Sequence, residues 1–234
     1  MNLNELSLSK TNIQYHSELN PYCWSGWNML PDVRGRLVDI AQLFVDQLDM
    51  PDFDIDDVRL TGSMANFNWT KFSDFDLHIV TDYRALQCDD VAETLYKAKK
   101  TIWNNKHDIT VHGYDVEIYI EDSARPPHSA GMFSILNNKW ISKPEFIRPG
   151  YDHSAVDRKA KGMIDLMQKT IRGADSIDDF ERVMNKVYNM RQSGLEQGGE
   201  FSTENLAFKV IRNLGWIDRL NKAQDNFIDN TYSL

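Results

Sequence analysis

Between Leu60 and Val80 the chain reads LTGSMANFNWTKFSDFDLHIV, and few folds accommodate that order of residues. A short apolar run ends at Gly62-Ser63; about ten residues later Asp74-Phe75-Asp76 leads into a second apolar run through Val80. Side chains of a strand alternate between faces, so Asp74 and Asp76 share one face while Phe75 and Leu77 point to the other. Two adjacent carboxylates on one face repel each other unless a cation lies between them. Magnesium, a hard ion that takes oxygen ligands and keeps substrate phosphates in its shell, suits such a pair. A third carboxylate on a neighbouring strand would complete a two-metal site, and Val116-Glu117-Ile118 offers one between apolar residues. Asp115 has the same parity as Glu117, so facing alone does not separate them. Glu117 is preferred because it falls in mid-strand, whereas Asp115 abuts a turn.

The rest of the chain places this segment in a larger frame. Leu37, Ile40, Ala41, Phe44, Val45 and Leu48 recur at spacings of three and four, which predicts an amphipathic helix over Asp32 to Leu48 with Pro31 in its first turn. Strands are predicted at Val58 to Thr61 and Phe75 to Val80, then a helix from Asp90 to Lys106. A hairpin follows, Ile109 to Val111 and Val116 to Ile120 about a His112-Gly113 turn, and one further extended segment falls near Gly131 to Ile141. After Pro144 and Pro149 the periodicity is helical alone. Three stripes are predicted: Val156 to Ile171, Ile177 to Tyr188 behind a Ser176–Asp179 capping box, and Leu206 to Ile217, with a loop at Gly194–Glu200 before the last. The fold class expected is therefore α+β, a mixed-sheet domain over residues 1–150 followed by an all-α helical bundle over 151–234.

A strand, Gly-Ser at a helix start, a gap of about ten residues, Asp-x-Asp and a later acidic residue between hydrophobics together resemble the nucleotidyltransferase superfamily that includes DNA polymerase beta. The matching positions are Gly62, Ser63, Asp74, Asp76 and Glu117, and the resemblance covers about residues 55–122 closely. It implies that Asp74, Asp76 and Glu117 are the catalytic and metal-binding residues, holding two Mg2+ (or Mn2+) ions that bind the triphosphate of ATP or another nucleoside triphosphate. It implies that Gly62 lets the backbone approach the phosphates, that Ser63 binds their oxygens, and that the helical bundle closes the nucleotide cleft. The product would be a nucleoside monophosphate, AMP if ATP is the donor, on an acceptor hydroxyl, with pyrophosphate released. The acceptor could be a small molecule, a protein side chain, an RNA end or a second nucleotide. Lys209 is the residue of choice to neutralise the polyphosphate, with Lys71, Arg191 and Arg212 as alternatives that the sequence does not rank.

Competing readings are weaker. A nucleotide-binding regulatory or antitoxin-like module of the same fold would be expected to lack one of the carboxylates, and an adaptor with an accidental motif would bind no nucleotide. Asp52 to Asp57 also contains Asp-x-Asp, but Asp57 and Ser63 stand where a calcium loop needs Gly and Glu, so a solvated acidic loop is expected. The six histidines lack zinc-ligand spacing. His78 shares the face of Asp74 and Asp76 and is a candidate for the site edge. Lys97, Lys99, Lys100 and Lys106 read as a solvated helix face, and Trp140 as core.

Charge bears on partners. The chain has 234 residues and a formal charge of −9, with 14 basic and 23 acidic side chains in residues 1–152 and 12 of each in 153–234. Such a chain lacks the overall positive field of a general DNA-binding protein. No apolar run reaches the ~18–20 residues of a membrane span, and the amino terminus lacks a signal pattern, so a cytoplasmic protein without membrane partners is expected. Cys23 and Cys88 form no CxxC pair and read as small apolar side chains in a reducing compartment.

Overall fold

Hydrophobic spacing decides where the helices begin and end. The computed structural model describes residues 8–48, 53–86, 89–125, 129–147 and 150–233; Asp52, Cys88 and Pro149 fall outside them. In chain order the elements are α1 (Leu8–Asn12), β1 (Trp24–Ser25), β2 (Asn28–Met29), α2 (Pro31–Leu48), β3 (Asp57–Thr61), β4 (Phe75–Thr81), α3 (Asp89–Lys106), β5 (Thr110–Val111) and β6 (Tyr114–Asp122). Then come β7 (Met132–Ser134), β8 (Lys139–Ser142), α4 (His153–Gly173), α5 (Ile177–Gly198), α6 (Thr203–Asn213) and α7 (Trp216–Tyr232). The α+β class, a mixed sheet followed by helices, is what the sequence led us to expect.

Two compact units divide the chain: Tyr15–Ile147, and Met1–Gln14 with Arg148–Leu234. The first is built on a six-stranded sheet in the order β5-β6-β4-β3-β7-β8. Only β4 and β6 run parallel; β3 pairs antiparallel with both β4 and β7. Alternation along β3, β4 and β6 sends Val58, Leu60, Phe75, Leu77, Ile79, Val116 and Ile118 to one face, where they pack with Leu37, Ile40, Phe44 and Leu48 of α2. Trp103 of α3 joins the same core, its ring edge-on to Phe44 at 5.3 Å. Cys23 is fully buried there, and its thiol is pushed up to about 12 by burial, with Asp32 adding to the shift. That makes it an apolar filler rather than a nucleophile. Trp140 packs face to face on Trp24 at 4.7 Å.

The helical unit buries the predicted stripes. Val156, Ala160, Ile164 and Met167 of α4 meet Phe180, Val183 and Val187 of α5, and Leu206, Val210 and Ile211 of α6. The Ser176–Asp179 capping box opens α5 as expected. α1 belongs to this unit: the Ser9 amide donates to Asp157 at 2.7 Å, and Asn213 donates to the Asn12 carbonyl at 3.1 Å.

Three expectations need correction. The loop expected at Gly194–Glu200 is helical to Gly198. Gly194 is there for close packing, since a Cβ would lie 2.5 Å from Glu204 Cβ and 2.7 Å from Ser202 Oγ. The stripe from Leu206 to Ile217 is two helices broken at Gly215, whose φ of 71° is the left-handed conformation that ends a helix. The single extended segment near Gly131 to Ile141 is the β7–β8 hairpin, turned through Asn138 at φ 51°. No helix among the described residues is long and apolar enough to cross a membrane.

Candidate metal and nucleotide site

The sheet's polar face is set by the register of its three central strands. Asp76 of β4 lies opposite Glu117 of β6 and Thr61 of β3; His78 lies opposite Tyr119 and Arg59. One carboxylate oxygen each from Asp74, Asp76 and Glu117 falls within 4.8 Å of the others. All three residues are partly exposed, whereas Asp115 is exposed and pairs with Thr110 at the hairpin turn. Parity alone could not choose between Asp115 and Glu117; the parallel register puts Glu117 beside Asp76.

The loop between β3 and β4 is held at several points. Gly62 has φ 71° and ψ −156°, a conformation open essentially to glycine alone, and opens a three-residue 3₁₀ turn, Ser63–Ala65. The resemblance implied a helix start at Gly62-Ser63; the structure has a single 3₁₀ turn there. Met64 and Ala65 are fully buried, and Trp24 Nε1 donates to the Met64 carbonyl at 2.8 Å. Ser63 Oγ donates to Ser73 Oγ at 2.7 Å, and Ser73 Oγ accepts from the Thr70 amide at 2.9 Å. These bonds tie the Gly-Ser end of the loop to the residue before Asp74.

Gly62 sits directly against the cluster. A Cβ there would fall 1.8 Å from Asp76 Oδ2. Gly62→Ala is therefore expected to displace the Asp76 carboxylate and to cost about 1–3 kcal/mol of stability from backbone strain, measured by urea denaturation. Gly35→Ala is the control: it lies in α2 with nothing within 4 Å of its Cβ, and should stabilise by about 1 kcal/mol through helix propensity.

Around the carboxylates stand groups that the sequence did not single out. The Tyr119 hydroxyl donates to Glu117 Oε2 at 2.6 Å. Lys100 Nζ lies over the Tyr119 ring, 3.8 Å from its centroid. Burial pushes the Lys100 ammonium below the usual lysine range, while Glu117 and Asp76 favour its charge. Tyr119 is held well above the usual phenol range, first by burial and then by the neighbouring Asp76 and Glu117 charges, so its proton stays in place. Lys100 is positioned by its neighbour one turn on. Asn104 Nδ2 donates to the Ile118 carbonyl at 3.0 Å and its Oδ1 accepts from the Ile118 amide at 3.1 Å, docking α3 on the free edge of β6. The solvated face expected for this helix thus holds for Lys97, which pairs with Glu93, but not for Lys100.

Farther along the same face, His78 stacks on Tyr119 with centroids 4.9 Å apart and planes 15° from parallel. Its Nε2 is 3.1 Å from Thr61 Oγ1 and its Nδ1 is 3.0 Å from Glu121 Oε2. Arg59 Nη1 donates to Glu121 Oε1 at 2.5 Å, and Asp57 Oδ1 accepts from Ser134 Oγ at 2.7 Å. Asp57, expected in a solvated acidic loop, is instead buried at the start of β3.

Of the remaining candidates, Lys71 lies in the loop before β4, and Lys209 and Arg191 are far off in sequence. Lys209 belongs to the helical unit, where its ammonium donates to Glu200 Oε1 at 3.0 Å. Arg191 lies over the Phe208 ring and Lys71 over the Phe72 ring.

Three oxygen donors, one just before β4 and one each on the adjacent strands β4 and β6, beside a glycine whose missing Cβ leaves room for Asp76, fit a hard divalent cation. A mixed sheet with this triad at the start of β4 and on β6, followed by an all-helical unit, is the architecture implied by the resemblance to the nucleotidyltransferase superfamily. Among solved structures, the chain is similar to a STING-associated CdnE c-di-GMP synthase from Capnocytophaga granulosa, with a TM-score of 0.24 and 12% identity over 86% of this chain and 84% of that one. No family model matches the chain, and no curated protein sequence matches it significantly.

Proposed function

We propose that the protein is a divalent-metal-dependent nucleotidyltransferase that moves a nucleoside monophosphate from a nucleoside triphosphate to an acceptor hydroxyl. The observation that carries this reading is the convergence within 4.8 Å of Asp74, just before β4, Asp76 on β4 and Glu117 on the adjacent strand β6. The acceptor hydroxyl gives up its proton to water as its oxygen bonds to the α-phosphorus, the bond from that phosphorus to the bridging oxygen breaks, and pyrophosphate leaves with the electron pair. Magnesium or manganese, when bound, would supply the charge that stabilises the attacking and leaving oxygens.

The chain's own residues do the rest. Asp74, Asp76 and Glu117 would hold the cations by their carboxylate oxygens. Gly62 leaves the approach to Asp76 free of a side chain. Ser63, tied to Ser73, fixes the turn that would meet the phosphates. ATP is the preferred donor, and Lys209 is retained as a candidate for the polyphosphate.

The test is incubation of the full chain with each α-labelled ribonucleoside triphosphate, Mg2+ or Mn2+, and a cell extract as acceptor source. The expected result is pyrophosphate release with label on an acceptor. Nucleotide binding without pyrophosphate would mean a non-catalytic binding module, and no metal-dependent nucleotide binding would overturn the reading altogether.

A further inference from the structure

The Asp74–Asp76–Glu117 triad leaves several neighbouring groups without an assigned task. Tyr119 touches it through a hydrogen bond, and Lys100 rests on the Tyr119 ring. Tyr119 is on β6, two residues beyond Glu117 and on the same face, so its hydroxyl can reach back along the strand to Glu117 Oε2. A carboxylate that accepts a short hydrogen bond on one oxygen has its rotamer fixed and its other oxygen presented outward. Lys100 approaches from α3 and rests on the ring face of the same tyrosine. A half-buried ammonium over a π face places its positive charge in the field of Glu117 and Asp76. The Asn104–Ile118 bonds, one helical turn away, fix that placement to the strand itself.

We propose that Tyr119 and Lys100 are a positioning pair for the metal site: the Tyr119 hydroxyl sets Glu117 as a ligand, and the Lys100 ammonium offsets the carboxylate charge that a divalent ion would otherwise neutralise. The proposal rests on the metal-binding part of the reading above. The two residues act on metal affinity in opposite directions. The hydroxyl favours the bound ion by preorganising a ligand. The ammonium opposes it by Coulomb repulsion, while sparing the metal-free site the full repulsion of three adjacent carboxylates.

Opposite signs make the test specific. Mn2+ binding is followed directly by the electron paramagnetic resonance signal of the free ion, on the full chain without nucleotide, for wild type, Tyr119→Phe and Lys100→Met. Tyr119→Phe keeps the ring on which Lys100 and His78 lie and removes only the hydroxyl; its Mn2+ affinity should fall about 10–100-fold. Lys100→Met keeps the aliphatic stem and removes the charge; its affinity should rise by roughly 3–10-fold. Thermal melting in metal-free buffer separates positioning from folding. Lys100→Met should melt below wild type there and recover with saturating Mn2+, a pattern that general loss of packing does not give.

If wild type binds Mn2+ and both variants match it, or both weaken it equally, the positioning proposal is wrong while the metal reading stands. If the opposite signs appear but no nucleotide is turned over, the pair is supported and the transferase reading fails. If wild type binds no Mn2+, both are overturned. Should Tyr119→Phe prove insoluble, the Lys100→Met rise in affinity decides the matter alone.

Discussion

Asp76→Asn should abolish nucleotidyl transfer, lowering pyrophosphate release by about 10³-fold or more, the scale on which removal of a preorganised charged group acts. Asp76 is the centre of the cluster: it faces Glu117 across the parallel pair, lies opposite Thr61 on β3, and packs against the bare Cα of Gly62. Asparagine keeps the shape and removes the charge. Because it also removes one of three neighbouring negative charges, the thermal midpoint in metal-free buffer should be unchanged or raised. Loss of activity together with loss of stability would point to a structural role instead. Asp115→Asn is the sharp control. It shares the parity of Glu117 but is exposed at the hairpin turn, and should leave activity at the wild-type level. An active Glu117→Gln beside an inactive Asp115→Asn would reverse the assignment made from the register.

What could be read in the sequence follows from which forces are local. Period-two alternation around Phe75 and Leu77 has one physical meaning, so the common face of Asp74 and Asp76 was legible before any coordinates. The α2 stripe and the Ser176–Asp179 cap were legible for the same reason. Glycine was ambiguous. Gly62 and Gly215 have positive φ and end an element, as glycine usually suggests, but Gly194 continues a helix because its neighbours leave no room for a methyl group. No local signal distinguishes these uses. Lys100 shows a second kind of limit. In the sequence it is one of four lysines on an amphipathic helix. Its place over Tyr119 depends on Asn104 docking to the edge of β6, a contact between residues 14 apart. The i, i+4 spacing of Lys100 and Asn104 is visible in the sequence, but its partner strand is not. The buried position of Asp57 was hidden likewise, since Ser134 and Arg59 satisfy its carboxylate only once β3 lies between β4 and β7.

Glu121→Ala is expected to be the most destabilising single change on this face, costing about 3–5 kcal/mol in urea denaturation. The Glu121 side chain is 5% exposed and meets Arg59, itself 17% exposed, at 2.5 Å, with His78 3.0 Å away on its other oxygen. Removing the carboxylate strands the guanidinium in a desolvated site, with Asp57 at 3.4 Å as its remaining counter-charge among the described residues. The penalty is that of an unpaired buried ion, not of the lost contact alone. Two comparisons isolate that cause. Glu121→Gln retains an acceptor for Arg59 and should lose markedly less. Arg59→Met with Glu121→Ala removes both charges, and should be less destabilised than the sum of the single changes because the orphaned cation is gone. Glu121 lies four residues along β6 from Glu117, on the same face but bonded to a different set of partners. The folded fraction of Glu121→Ala should therefore bind Mn2+ as wild type does. A large drop in Mn2+ affinity in that fraction would mean that the buried ion network and the carboxylate site act as one unit through His78 and Tyr119, whose rings are stacked between them.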